Sequence, residues 1–290
     1  MSNKNVYFTD YKISTITCNA NIGEKIFIDL SVLYNYITPI IEDNNIIWIQ
    51  NSSDESKGIN PKKIRKSKKD KKKKTRFDNQ ITILYQINNT YRPNIKIFKN
   101  GNIQLTGINR LESDVENISN HIINEIKKIY NIDEKINLNY ENETKEEFFN
   151  KLKFDNFKIR MINTDFKTYT NKELTEKFNI RRKELHNTLI NSKYNNKSSF
   201  QPGIYQGVKL EYYYNPYNEN GICQCKVHSF NKKNNISDCK KVTVAIFESG
   251  SILITGGINF DQVNKAYNHI TNIIKDNIDI IHKKKINLEN

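Results

Sequence analysis

The 290-residue sequence is poor in the residues that build catalytic, cross-linked or membrane-spanning structures. It has one Trp, two Met, four Cys and five His. Four cysteines in a chain this long make no disulfide framework, so a reducing compartment is expected. No run of 18 apolar residues exists, and the polar start Met1-Ser2-Asn3-Lys4-Asn5 has no signal-peptide core; a soluble, intracellular protein that avoids membranes is expected. There is no Walker A loop, no Gly-x-Gly-x-x-Gly, no His-Glu-x-x-His and no Gly-x-Ser-x-Gly, which argues against an enzyme and against a bound cofactor. The solitary Trp48 reads as core.

Positive charge is also scarcer than the net +14 suggests. Residues 62–76 hold eleven Lys or Arg and one Asp, ten of the fourteen net charges. Composition therefore shows no basic folded face. The run reads as a solvated loop, a nuclear-import signal or a flexible arm holding phosphates. The content of 37% hydrophobic residues, with 14 Phe and 16 Tyr, supports a globular body. Heavy use of Asn, Ile and Lys fits an A·T-rich genome.

What is present is one string used twice. Ile97-Phe98-Lys99-Asn100-Gly101-Asn102-Ile103-Gln104-Leu105-Thr106-Gly107 reads as a β-hairpin, with Asn100-Gly101 supplying φ > 0 for a two-residue turn. It returns as Ile246-Phe247-Glu248-Ser249-Gly250-Ser251-Ile252-Leu253-Ile254-Thr255-Gly256, with Phe, Gly, Thr and Gly each 149 positions on. A helical stripe follows each copy: Val115, Ile118, Ile122, Ile126 and Ile129 after a Ser113–Glu116 capping box, then Val263, Tyr267, Ile270, Ile274 and Ile278. Asn120-His121-Ile122 has its echo in Asn268-His269-Ile270, so the histidines read as structure inherited by duplication.

Other segments fill the repeats. Residues 11–23 read as a strand. Asp29 caps a short helix carrying Leu30, Leu33, Tyr34 and Ile37, which Pro39 ends. Residues 77–87 alternate as a strand, and 88–93 form a turn. Residues 154–166 are a strand, Asn171 caps a helix with Leu174, Phe178, Leu185 and Leu189, and 206–214 are a strand. The expected organisation is a tail 1–10, repeat 1 over 11–131 with a basic insertion 50–76, and an acidic linker 132–151. Repeat 2 follows over 152–283 with an insertion 216–240, then a tail 284–290. Within that second insertion, Cys223-x-Cys225-x2-His228-x10-Cys239 has the residue types of a zinc site. The C-x-C spacing is not the common C-x2-C and no second pair supports it, so cysteines without metal are expected.

Phe-x-x-Gly-x-Ile-x-x-Thr-Gly before a long helix, present twice, resembles the TATA-box-binding protein family. Ser199-Phe200-Gln201-Pro202-Gly203-Ile204-Tyr205, Arg76-Phe77 and Phe157-Lys158-Ile159 resemble further family strands. The resemblance implies an α+β fold: a saddle of two pseudo-symmetric repeats of curved antiparallel sheet, helices 113–130 and 260–281 on the convex face. It implies minor-groove DNA binding, with Phe77 and Phe98, and Phe200 and Phe247, wedged between base steps. Thr106 and Thr255 would point at the groove, where acceptors are shared by A·T and T·A. Thr15 and Met161 stand at the family's strand-one Asn positions, and Asn102, Ser251, Asn109 and Ile258 stand at or near its phosphate-binding Lys positions.

By this resemblance the chain is a general transcription initiation factor from a large DNA virus or divergent protist. It would bind and bend A/T-rich double-stranded DNA as a monomer, and recruit a IIB-type factor and RNA polymerase in the nucleus or a cytoplasmic viral factory. Two alternatives stand beside it: a scaffold that has lost DNA readout and works through protein partners, and a non-specific single-strand binder using stacked aromatics and the lysine arm.

Overall fold

Alternating apolar residues punctuated by Gly and Asn turns give the chain its strands. In the computed structural model, residues 5–61, 79–109, 112–216, 219–223, 225 and 239–283 are described. The lysine run 62–76, Phe77, His228 and the tail 284–290 lie outside the described residues.

The elements in chain order are β1 (Tyr7–Phe8), β2 (Lys12–Asn21), α1 (Leu30–Tyr36), β3 (Asn45–Gln50), β4 (Ser56–Gly58), β5 (Gln80–Gln86), β6 (Asn94–Phe98), β7 (Asn102–Ile108), α2 (Glu112–Tyr130) and α3 (Lys145–Lys151). There follow β8 (Asp155–Tyr169), α4 (Arg182–Ile190), β9 (Lys197–Ser199), β10 (Val208–Tyr214), β11 (Lys240–Ile246), β12 (Ser251–Gly257), α5 (Phe260–Asp276) and α6 (Ile278–Ile281). The class is α+β, and none of the described helices is long and apolar enough to cross a membrane.

The chain divides into two compact units, residues 16–159 and residues 1–15 with 160–290. In the first unit the antiparallel order is β4-β3-β5-β6-β7-β2. Helix α2 lays its stripe Val115, Ile118, Ile122, Ile126 and Ile129 over β7, where Ile103, Leu105 and Ile108 are equally buried. Each such side chain contributes roughly 1.5–3 kcal/mol on leaving water. Trp48 is 4% exposed and clusters with Ile47 and Leu84, as core. In the second unit the order is β8-β12-β11-β10-β9, with β1 alongside β8. Helix α5 covers β10, β11 and β12 with Val263, Ala266, Ile270 and Ile274. Tyr267 sits at the edge of that stripe, its ring 4.7 Å from Phe166 and its hydroxyl donating to the Thr9 carbonyl.

Several local expectations need correction. The hairpin turn is not a two-residue one: the Gly101 N–H donates to the Phe98 carbonyl at 3.0 Å, and Gly101 alone has φ +75°. The second copy repeats this from Gly250 to Phe247, with φ +77° at Gly250. Both are three-residue turns closed by a left-handed glycine, the form that follows when only the last loop residue lacks a Cβ. Ser113 lies inside α2, so it is not a cap. The helix expected from Asn171 begins only at Arg182, because the Asn171 carboxamide accepts from the Thr175 and Glu176 N–H groups and holds a loop instead. Helix α5 ends at Asp276, and Ile278 belongs to the separate α6.

Residues 132–151 are more than an acidic connector. A Thr144–Glu147 capping box starts α3, which buries Phe148 against Tyr130 at a ring separation of 5.4 Å. The polar composition hid one aromatic anchor.

Candidate nucleic-acid interface

Each sheet has one face under its helices and one face turned away from them. Alternation decides which residues reach the second face. In β7, Ile103 and Leu105 face the helix, whereas Asn102, Gln104 and Thr106 face away. In β12, Ile252 and Ile254 face the helix, whereas Ser251, Leu253 and Thr255 face away.

The Thr-Gly pair has a geometric reason in both copies. Gly107 has φ +90° and Gly256 φ +92°, values that disfavour any other residue. At each, the register slips by one: Thr17 pairs Thr106 but Ile16 pairs Ile108, and Asn163 pairs Thr255 but Ile162 pairs Gly257. A glycine bulge after the threonine thus re-aims the strand while the threonine stays on the open face.

The register also identifies side chains that spacing alone missed. Thr17, rather than Thr15, lies opposite Thr106, and Asn163 lies opposite Thr255. The amide absent at Met161 is therefore supplied two residues later, on the same face. Only cross-strand pairing reveals this. The open row of the first unit runs Asn94–Thr106–Thr17 beside Lys96–Gln104–Asn19, and that of the second runs Lys197–Glu211–Thr243–Thr255–Asn163.

Asn19 Oδ1, Asn163 Oδ1 and Thr15 Oγ1 are among the buried side-chain atoms that have no hydrogen-bond partner. Native proteins seldom leave such atoms unsatisfied, so they mark places where a ligand could complete the bonding. A carboxamide can accept and donate, so it can meet either the acceptors of A·T pairs or the extra donor of G·C.

The phenylalanines are placed unevenly. Phe98 and Phe247 each occupy the first position of the repeated turn and are half-buried. Phe98 pairs Gln80 across β5, and its expected companion Phe77 lies outside the described residues. The Phe247 ring meets Tyr205 at 5.8 Å, and a Cβ on Gly207 would come within 3.2 Å of both rings, so a glycine floors the pair. Phe200 instead lies under the Arg182 guanidinium at 5.4 Å and 6.4 Å from the His186 ring. Ile204, 84% exposed at the tip of the Gln201–Tyr205 turn, is an apolar side chain that no sequence signal singled out.

Charge on these faces comes from lysines within strands, not from the positions after the turn glycines, which hold Asn102 and Ser251. Lys96 lies on the first unit's open face; Lys197, Lys209 and Lys241 lie on the second's. Lys209 Nζ sits 4.2 Å above the Tyr205 ring. Glu211 holds Lys197 at 2.9 Å and Lys241 at 3.7 Å. Its pKa is lowered, burial raising it but hydrogen bonds from Tyr213 and Lys197 outweighing that.

The repeated histidines lie on the helix side, away from these faces. His121 Nδ1 is 3.0 Å from the Tyr85 hydroxyl, which donates to the Asn44 carbonyl. The His269 ring lies tilted against Tyr212 at 5.1 Å, and its Nε2 is 2.9 Å from Asn196 Oδ1. Burial lowers both pKa values, that of His269 to about 4. A neutral Tyr–His pair recurs in both units as a packing device.

The family model described as "Transcription factor TFIID (or TATA-binding protein, TBP)" matches residues 175–277, inside the second unit. A "TATA-box-binding protein-like" protein of Acanthamoeba polyphaga mimivirus is 30% identical over 266 residues, 91% of this chain and 64% of the relative. The chain is similar to TATA-binding proteins, through the model matched inside its second unit and through this viral relative. Its kinship with a viral protein agrees with the viral source expected from the sequence. The chain spans 64% of the length of that curated relative. Among solved structures, "Methanococcus jannaschii TBP" matches with a TM-score of 0.44 and 16% identity, over 92% of this chain and 99% of that one.

Proposed function

We propose that this chain is a transcription initiation factor that binds A/T-rich promoter DNA through the minor groove and bends it. The observation that carries the reading is the repeated open face: a Thr beside a glycine bulge, a hydroxyl or amide opposite it in register, and a Phe at the head of the preceding turn. Neutral donors suit a groove whose A·T pairs present only acceptors, and an apolar ring at a turn suits partial unstacking of a base step. Phe98 and Phe247 act as wedges, with Phe77 and Phe200 as the family pattern's companions. Thr106, Thr255, Thr15, Thr17 and Asn163 supply the readout. Lys96, Lys209 and Lys241 hold phosphates in place of the missing hairpin lysines. A IIB-type factor and RNA polymerase are the partners of such a complex, and no catalytic step belongs to it.

Energy transfer across a doubly end-labelled A·T-rich duplex tests this, titrated with protein lacking residues 62–74. Transfer should rise with protein and fail to rise with Phe98→Ala plus Phe247→Ala. Binding that depends wholly on residues 62–74 would refute it. One observation favours a second reading, a scaffold without DNA readout: Glu211 stands within the open row of the second unit, where DNA phosphates would be unwelcome if its lysine partners were drawn away.

A further inference from the structure

The insertion between β10 and β11 departs most from a plain repeat, and its two ends come back together. Tyr214 pairs Lys240 at the end of the ladder, so Cys239 stands one residue before the first paired residue of β11. On the other side, the Tyr213 N–H donates to the Gly221 carbonyl at 2.9 Å, and the Ile222 N–H donates to Asn220 Oδ1. The Asn196 carboxamide links this neck to the interior, donating to the Asn220 carbonyl while accepting from His269. Gly221 has φ +72°, and a Cβ there would strike the Tyr212 ring at 2.6 Å. The segment leading to Cys223 is therefore fixed from several sides.

This places the thiol sulfurs of Cys223, Cys225 and Cys239 within 4.8 Å of one another. Asn215 Nδ2 lies 3.5 Å from the Cys239 sulfur and adds a second-layer donor. Three thiolates on a tetrahedral ion at Zn–S of about 2.3 Å stand about 3.8 Å apart, so closing the cluster needs shifts of about 1 Å or less. All three cysteines are half-buried, which limits competition from water.

We propose that Cys223, Cys225 and Cys239 bind one zinc ion that clamps the neck of this insertion onto the end of the β10–β11 ladder. This departs from the metal-free expectation drawn from spacing. Spacing undervalued the site because C-x-C gave two thiols and left the third remote, whereas the ladder returns Cys239 beside them. Soft thiolates select zinc over the hard oxygen-seeking cations. The ion leaves a fourth tetrahedral position for a ligand beyond these three. Binding replaces three thiol protons with the metal, so occupancy rises with pH.

The test uses the full-length chain purified under reducing conditions. Zinc by elemental analysis should be about one per chain and fall below about a tenth in Cys223→Ser, Cys225→Ser and Cys239→Ser. Cys18→Ala should leave it unchanged, since that buried thiol belongs to β2. Cobalt substitution should give a thiolate charge-transfer band that vanishes in the same three variants. Intact-mass measurement of unreduced protein gives the opposing outcome: a disulfide among these cysteines with no zinc overturns the proposal. Zinc content or a cobalt spectrum indifferent to the three substitutions does so as well. Any variant that fails to fold is replaced by titrating the native chain with a thiol-blocking mercurial, which should release zinc in step with modification.

Discussion

The two units repeat one plan with different chemistry on their open faces. In residues 16–159 that face is nearly neutral: Asn94, Thr106, Thr17, Gln104 and Asn19 with Lys96 beside them. In the second unit the same positions carry Thr243, Thr255 and Asn163, but Lys197, Lys209, Lys241 and Glu211 join them. Duplication preserved the turns, the bulges and the Tyr–His pair, which are constrained by backbone sterics and packing. It left charge free to diverge, because exposed strand positions tolerate any residue that keeps the alternation. The lesson is that backbone constraints survive in a repeat longer than recognition chemistry does.

The sharpest way to break the symmetry is at the turn glycines. A Cβ on Gly250 would meet the Phe178 carbonyl at 2.5 Å, whereas on Gly101 it would first meet the movable side chain of Ile26. Both have positive φ, but the nearest backbone atom, the Phe178 carbonyl, is closer at Gly250 than the Gly23 carbonyl, 3.3 Å away, is at Gly101. Gly250→Ala should cost about 4 kcal/mol and Gly101→Ala about 2 kcal/mol, read from urea unfolding. Equal losses would mean the two turns are supported alike.

The histidines give the next largest contrast. The folded pKa of His269 is depressed to about 4, so between there and its ordinary value near 6.5 the unfolded chain binds more protons than the folded one. Stability should therefore fall as pH drops through that window, by about 3 kcal/mol at most. His269→Gln should flatten the dependence. His121, with Glu125 at 4.0 Å favouring its charge, should contribute a smaller slope, and His121→Gln should change it less. Unfolding curves at several pH values in that window decide the matter.

Readout should separate the units more gently. Asn163→Ala should weaken duplex binding about tenfold and Thr17→Val about threefold, as befits an amide against a single hydroxyl. Equal effects in fluorescence anisotropy would place the pair on the same footing. Smallest of all, Lys209→Ala or Lys96→Ala should each lower the slope of log affinity against log salt by about one while barely changing sequence preference. A Lys209 effect on preference would mean that Tyr205, on which it rests, reads bases.

Much of the fold is legible in the amino-acid sequence. Strings repeated at a 149-residue offset disclose the duplication, and alternation discloses β6, β7, β11 and β12. The apolar stripes disclose α2 and α5, and Asp29 its cap on α1. These are local signals, each written within one element. The failures come where distant segments compete. Asn171 could cap a helix or bind a loop, and the loop won because its amide found two N–H groups nearby. Phe148 looks like part of a polar connector until Tyr130, in a separate helix, gives it a partner.

The sequence by itself determined the repeat, the α+β class, the glycine turns and the threonines of the open faces, because sterics and periodicity act between near neighbours. Tertiary structure alone decided that Thr17 and Asn163 stand beside Thr106 and Thr255, that Tyr205 rather than Phe200 meets Phe247, and that Cys239 returns to Cys223 and Cys225. Each of these depends on register between strands, and register is set by the summed fit of whole faces rather than by any one residue.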